Sequence, residues 1–147
     1  MCGGRAEILV LIDIVGEKRK ALPVNLLFIA SNHNLVNAER ANRGILPLYR
    51  MRHLDELATE HAKRMASQQH RFHSNVDDLM SSIIELSPCR KVGENVCRGA
   101  SIELIHKKMI RSRTNKINML DRRFSSFGIG VAPDVDGVLY VCQIYKG

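Results

Sequence analysis

The sequence predicts an α+β domain, rich in helices at first and closed by an antiparallel hairpin. Two observations carry this expectation. Leu54, Leu57, Ala58, His61, Ala62 and Met65 recur every three or four residues, laying one apolar stripe along a helix. Near the end, residues 127–132 and 138–145 are strand-like runs separated by Asp134-Val135-Asp136-Gly137, whose Asp-Gly pair favours a hairpin turn. Helices come first, one strand is inserted among them and the hairpin closes the chain. Such strands meet as a mainly antiparallel sheet with helices on its faces, which makes three layers.

The elements follow in order. Leu35, Val36, Ala38 and Glu39-Arg40 predict a short helix from Asn34, ended by Gly44 as a C-terminal glycine. Pro47 separates it from the striped helix. Residues 70–74 are polar and read as a turn. Val76, Leu79, Met80, Ile83, Ile84 and Leu86 predict another helix, stopped by Ser87-Pro88. Residues 91–98 read as a strand. Ser101 is a candidate N-cap for a helix carrying Ile102, Ile105 and Met109, with Glu103 well placed near its positive end. A short helix over residues 115–120 precedes the hairpin.

The 147 residues suffice for one domain with a single hydrophobic core. Aromatics are only 5% with no Trp, so the core must rest on Leu, Ile, Val and Met. A net charge of +7 favours anionic partners without choosing among them. Cys2, Cys89, Cys97 and Cys142 include no CxxC pair, which argues against a zinc ribbon or finger. Cys97 and Cys142 lie in strand-like runs. They fit either a bridge between neighbouring strands or two buried thiols.

Residues 1–33 differ in texture and form a candidate extension or leader, with the domain proper over 34–147. No apolar run there reaches the roughly 18–20 residues needed to span a bilayer. Residues 7–15 are apolar but interrupted by Asp13. Lys18-Arg19-Lys20 then precedes an apolar stretch over 21–31. That order reads either as a secretory signal placed too far inside the chain or as an ordinary element packed on the domain.

Taken together and in order, several motifs resemble one family. They are Asn37-x-x-Arg40, Gly44-x-Leu46-Pro47-Leu48, the striped helix, Phe72-His73-Ser74, Gly93-Glu94-Asn95-Val96, Met109-Ile110-Arg111-Ser112 with Asn115-x-x-Asn118-Met119-Leu120, and the closing hairpin. The pattern over about residues 34–147 resembles the CAP superfamily of cysteine-rich secretory, antigen 5 and pathogenesis-related proteins. The resemblance implies a three-layer α-β-α sandwich with a central cleft, where many members hold a divalent metal such as zinc on two histidines and acidic residues. It places the first histidine at His73 and the glutamate at Glu94. The second histidine falls on Asn115, a further glutamate of some members on Ser112, and a tryptophan on Met109.

Zinc takes four ligands, or three and water, from His, Cys and carboxylates. His73 and Glu94 supply two, whereas Asn115 and Ser112 offer only neutral oxygens. His70 is a conceivable substitute. Glu94 has a second reading as a carboxylate that caps backbone donors or pairs with Lys91 or Arg98. His61 reads as a core histidine and His106 as a solvated one. Asn95 and Asn118 read as partners of backbone groups. A Ser112/His73/Glu94 triad lacks the Gly-x-Ser-x-Gly elbow, and HExxH, Walker and EF-hand motifs are absent.

Lys107, Lys108, Arg111, Arg113, Lys116, Arg122 and Arg123 form a basic cluster. It reads as a solvated face or as an attractor of acidic lipid headgroups. The scarcity of aromatic stacking residues disfavours nucleic acid. The resemblance to the CAP superfamily implies a secreted, non-enzymatic domain acting in defence, lipid or sterol binding, or cell-surface interaction. Two readings compete with it: a metal-dependent hydrolase using His73 and Glu94, and a basic nucleic-acid-binding protein.

Overall fold

The computed structural model describes the backbone of Leu11–Ile12, Lys18–Arg19 and residues 24–147, and side chains from residue 28 on. Cys2, Asp13 and most of the apolar run over 7–15 lie outside the described residues. The elements are β1 (Leu11–Ile12), β2 (Lys18–Arg19), α1 (Val24–Ala41), β3 (Tyr49–Arg50), α2 (Arg52–Gln68), α3 (Val76–Ile84), β4 (Val92–Gly99), α4 (Ile102–Arg111), α5 (Arg113–Leu120), β5 (Ser126–Pro133) and β6 (Leu139–Lys146). β1 and β2 pair antiparallel; the other four strands form one sheet in the order β3-β5-β6-β4.

β6 is the centre of the sheet, antiparallel to β4 on one side and to β5 on the other, and buried along its whole length. Alternation then divides its side chains between two cores. Tyr140, Cys142 and Ile144 pack with Leu54, Ala58, Met65 and Ile83 of α2 and α3. Val141 and Tyr145 pack with Ile29 and Val36 of α1, Ile105 and Met109 of α4, and Met119 of α5. The result is an α-β-α sandwich. β3 adds a two-residue parallel pairing at the β5 edge that the sequence pattern does not announce.

α2 lies almost directly on β5, and two glycines permit it. A Cβ at Gly128 would stand 2.1 Å from the backbone carbon of Leu54, and one at Gly130 would stand 2.1 Å from the backbone nitrogen of Thr59. The glycines are required by this close approach.

Several expectations need correction. The helix expected to begin at Asn34 already begins at Val24. Its buried face carries Asn32, His33 and Arg40 beside Ile29 and Val36, which hides the apolar period. Gly44 does end this segment in a left-handed conformation, φ 65. His106 is buried, 6% exposed, because Ile102, Ile105, His106 and Met109 share one face of α4; its Nε2 stands 3.1 Å from Glu39 Oε1. Cys97 and Cys142 belong to opposite cores, and both are free thiols together with Cys89. Residues on opposite faces of a sheet cannot be bridged without rebuilding the strands.

Candidate functional site

Two segments build the site. β4 carries Val92, Glu94 and Val96 on its α2–α3 face and sends Asn95 to the other face. The segment after α2 brings His73 and Ser74 over Glu94. Gln69, at φ 49, breaks the helix, and the amides of Gln69 and His70 bond back to the carbonyls of Ala66 and Met65. Buried His61 then donates Nε2–H to the Phe72 carbonyl at 2.6 Å, with the two rings edge to face. This fixes the two residues that follow.

Glu94 is held on both oxygens. Oε1 accepts from the Ser74 amide at 2.8 Å and lies 2.9 Å from His73 Nδ1; Oε2 accepts from the Ser74 hydroxyl at 2.5 Å. The Glu94 side chain is 9% exposed and that of His73 is 63% exposed. Cys142 Sγ lies 3.7 Å from Oε2; burial, reinforced by the Glu94 charge, pushes this thiol well above its ordinary range. Lys91 and Arg98 are engaged elsewhere, Lys91 with Asp121 and Arg98 with the Tyr140 hydroxyl.

The opposite face of β4 carries a buried amide network. Asn95 Nδ2 donates to the Asn115 carbonyl at 2.9 Å and to Gln143 Oε1 at 3.2 Å. Asn118 Nδ2 reaches Asn95 Oδ1 at 2.9 Å and the Glu94 carbonyl at 3.3 Å. Gln143 also bonds Asn32 and the Tyr145 hydroxyl, each at 2.7 Å. Asn115 thus enters the site through its main chain. Ser112 caps α5, its hydroxyl 3.4 Å from the Asn115 amide and 3.2 Å from Thr114 Oγ1. Neither makes a described hydrogen bond to His73 or Glu94.

His73 and Glu94 are therefore brought together, while Ser112 and Asn115 serve α5 and its seam with β4. The sequence offers Ser74 only as the last residue of the Phe72-His73-Ser74 motif, with no role of its own, and Gln143 is not among the candidates. The adjacency of a serine to His73 was the available signal for Ser74; Gln143 had none beyond being a polar residue within an apolar strand. A zinc ion does not fit this donor set. Among the described residues, no three His, Cys, Asp or Glu side chains converge closely enough to hold a metal. The two oxygens of Glu94 are already engaged by protein donors.

Beside the pair, a groove of about 350 Å³ opens between α2 and α3. Leu57, Phe72 and Leu79 supply its apolar surface, and Arg64, His73 and Asp78 stand among its polar lining.

An α-β-α sandwich with a buried Glu94 clamped by a His-Ser pair defines the class of domain. The cysteine-rich secretory protein family, CAP, matches residues 33–145, and the chain belongs to that family. Solved structures agree on the fold. A cysteine-rich secretory protein from Staphylococcus aureus is 21% identical with a TM-score of 0.68, covering 88% of this chain and 42% of its own. An extracellular SCP-domain protein from Bacillus anthracis is 17% identical with a TM-score of 0.70, covering 84% of this chain and 41% of its own. An outer surface protein from Borrelia burgdorferi is 12% identical with a TM-score of 0.69, over 80% of this chain and 90% of its own. This chain thus spans about two fifths of the length of the first two. No curated protein matches the sequence significantly.

Proposed function

We propose that this chain is an extracellular CAP domain that works by binding and not by catalysis. One observation carries the reading: both oxygens of Glu94 are occupied by Ser74 and His73, so the carboxylate acts as a structural clamp. A general base or metal ligand needs an oxygen directed at substrate or ion. The neutral side chains of Asn115 and Ser112 support the same conclusion.

The ligand recess is the groove between α2 and α3, and its Leu57, Phe72 and Leu79 suit an apolar small molecule such as a sterol or another lipid. The extracellular placement draws on the bacterial relatives described as extracellular or outer surface proteins. Calorimetric titration of zinc into the native protein and Glu94→Ala tests the absence of a metal site. Saturable heat in the native protein that disappears in the variant overturns the reading. Titration of a fluorescent sterol tests the recess: Leu79→Arg is expected to abolish binding, and equal binding by both proteins refutes that assignment.

A further inference from the structure

α5 closes the layer opposite to the groove. Its inner side is anchored by buried Met119, while Arg113, Lys116 and Ile117 face outward, Ile117 with 57% exposure. Together with Leu120 and Arg123 they line a shallow depression of about 530 Å³. Among the described residues, no carboxylate lies within salt-bridge distance of Arg113, Lys116 or Arg122. Asp121 at the edge of the depression is already engaged by Lys91 and Arg123. The surface therefore combines cations with one large exposed apolar side chain, Ile117.

A second apolar projection adjoins it. Arg122 donates to the Gly44 carbonyl at 3.4 Å, and Arg40 joins the carbonyls of Leu46 and Met119. The loop before β3 thereby abuts the end of α5. It is held firmly, since Asn37 bonds both the amide and the carbonyl of Leu48. On this fixed backbone Leu46 stands 82% exposed. Its side chain is therefore open to contact with an adjoining surface.

We propose that this face docks on a bilayer containing anionic phospholipid. Arg113, Lys116 and Arg122 meet headgroup phosphates, while Ile117 and Leu46 enter the boundary between headgroups and acyl chains. A bilayer satisfies separated cations without demanding a matching shape, and it rewards apolar projections that a phosphodiester backbone would leave in water. Nucleic acid fits less well, because the depression offers aliphatic side chains and no aromatic ring on which a base could stack. The net charge of +7 gives long-range attraction of the required sign. The proposal concerns a surface on the opposite layer from the sterol recess and does not depend on that assignment.

Co-sedimentation of the full chain with two vesicle types tests it: phosphatidylcholine alone, and phosphatidylcholine mixed with phosphatidylserine. Binding is expected only to the mixed vesicles. Each basic residue near such a surface contributes about fivefold in affinity. The double variant Arg113→Glu, Lys116→Glu is therefore expected to lose at least about tenfold. Ile117→Ser is expected to weaken binding several-fold at unchanged net charge, which separates insertion from simple ion attraction. All three substitutions lie on an exposed face, so circular dichroism should be unchanged. Absence of binding to mixed vesicles overturns the proposal, as does equal binding by the charge-reversed variant. So does tighter binding to a single-stranded oligonucleotide on which Ile117→Ser has no effect.

Discussion

Ser74 grips Glu94 twice, donating its amide to one carboxylate oxygen at 2.8 Å and its hydroxyl to the other at 2.5 Å. This bidentate arrangement ties the segment after α2 to the edge strand of the sheet. Hydrogen bonds to a charged, largely buried group contribute about 1.5–3 kcal/mol each. Ser74→Ala keeps the amide bond and loses the hydroxyl one, so urea denaturation should show a loss within that range. Glu94→Ala removes both acceptors and should cost more. The double variant should be less destabilised than the sum of the singles, with a coupling of about 1–2 kcal/mol. Additive losses would contradict the clamp.

Acid should weaken the fold through two carboxylates. Burial pushes Asp55 up, but His33, the Ile129 amide and Arg50 outweigh it and hold the carboxyl below its ordinary value. Asp121 is held well below that value, chiefly by Arg123, with Lys91 assisting against burial. The unfolded chain therefore binds protons before the folded one does as the pH falls. Stability from these groups is complete above about pH 4 and is lost progressively below it, at up to about 1.4 kcal/mol per pH unit for each group. Asp55→Asn and Asp121→Asn should each lower stability at neutral pH and flatten this acid slope. Stability measured between neutral and acid pH that stays parallel in the wild type and both variants would refute the assignment.

The thiols should react in an order set by burial. Cys97 and Cys142 are about 2% and 0% exposed on opposite faces of the sheet, while Cys89 is only half-buried. Thiolate is the reactive form, and burial disfavours it strongly at Cys142. Alkylation of the native protein followed by peptide mass spectrometry should label Cys89 about a hundredfold or more faster than Cys97 and Cys142. Both buried thiols should label fully after unfolding without reductant. A Cys97–Cys142 peptide pair in non-reduced material would contradict the register of β4 and β6.

The parts of this fold that the sequence announces are those where burial is written in apolar residues. α2 shows its stripe, and the hairpin shows two strand-like runs around an Asp-Gly turn. α1 does not, because Asn32, His33 and Arg40 occupy positions on its buried side. His106 reads as solvated on residue type, although its place four residues after Ile102 and three before Met109 puts it on the covered face. The site is half legible. His73 and Glu94 stand out as a pair, but Ser74 acts through a main-chain amide whose direction depends on the left-handed turn at Gln69. The Asn95–Gln143 network depends on strand register, which composition cannot convey.

Arg40 supplies the most demanding test of the packing. Its guanidinium, 1% exposed, donates to the carbonyls of Leu46 at 2.8 Å, Met119 at 2.9 Å, Asp121 at 3.0 Å and Phe124 at 3.4 Å. Burial lowers its pKa, yet an arginine starts so far above neutrality that it stays charged. The four carbonyls belong to the loop after α1, the end of α5 and the segment linking α5 to β5, so one side chain ties three stretches of chain together. Arg40→Met keeps the apolar stem and strands those carbonyls, and should cost about 3–5 kcal/mol in chemical denaturation, since each buried acceptor left unsatisfied costs about 1–3 kcal/mol. Arg40→Lys should recover only part of this, because one ammonium cannot reach carbonyls spread across a planar fork. Backbone amide exchange should then rise first at Ile45, Leu48 and Phe124. Equal stability of Arg40→Lys and the native protein would show that charge alone, without the fork geometry, holds the three stretches together.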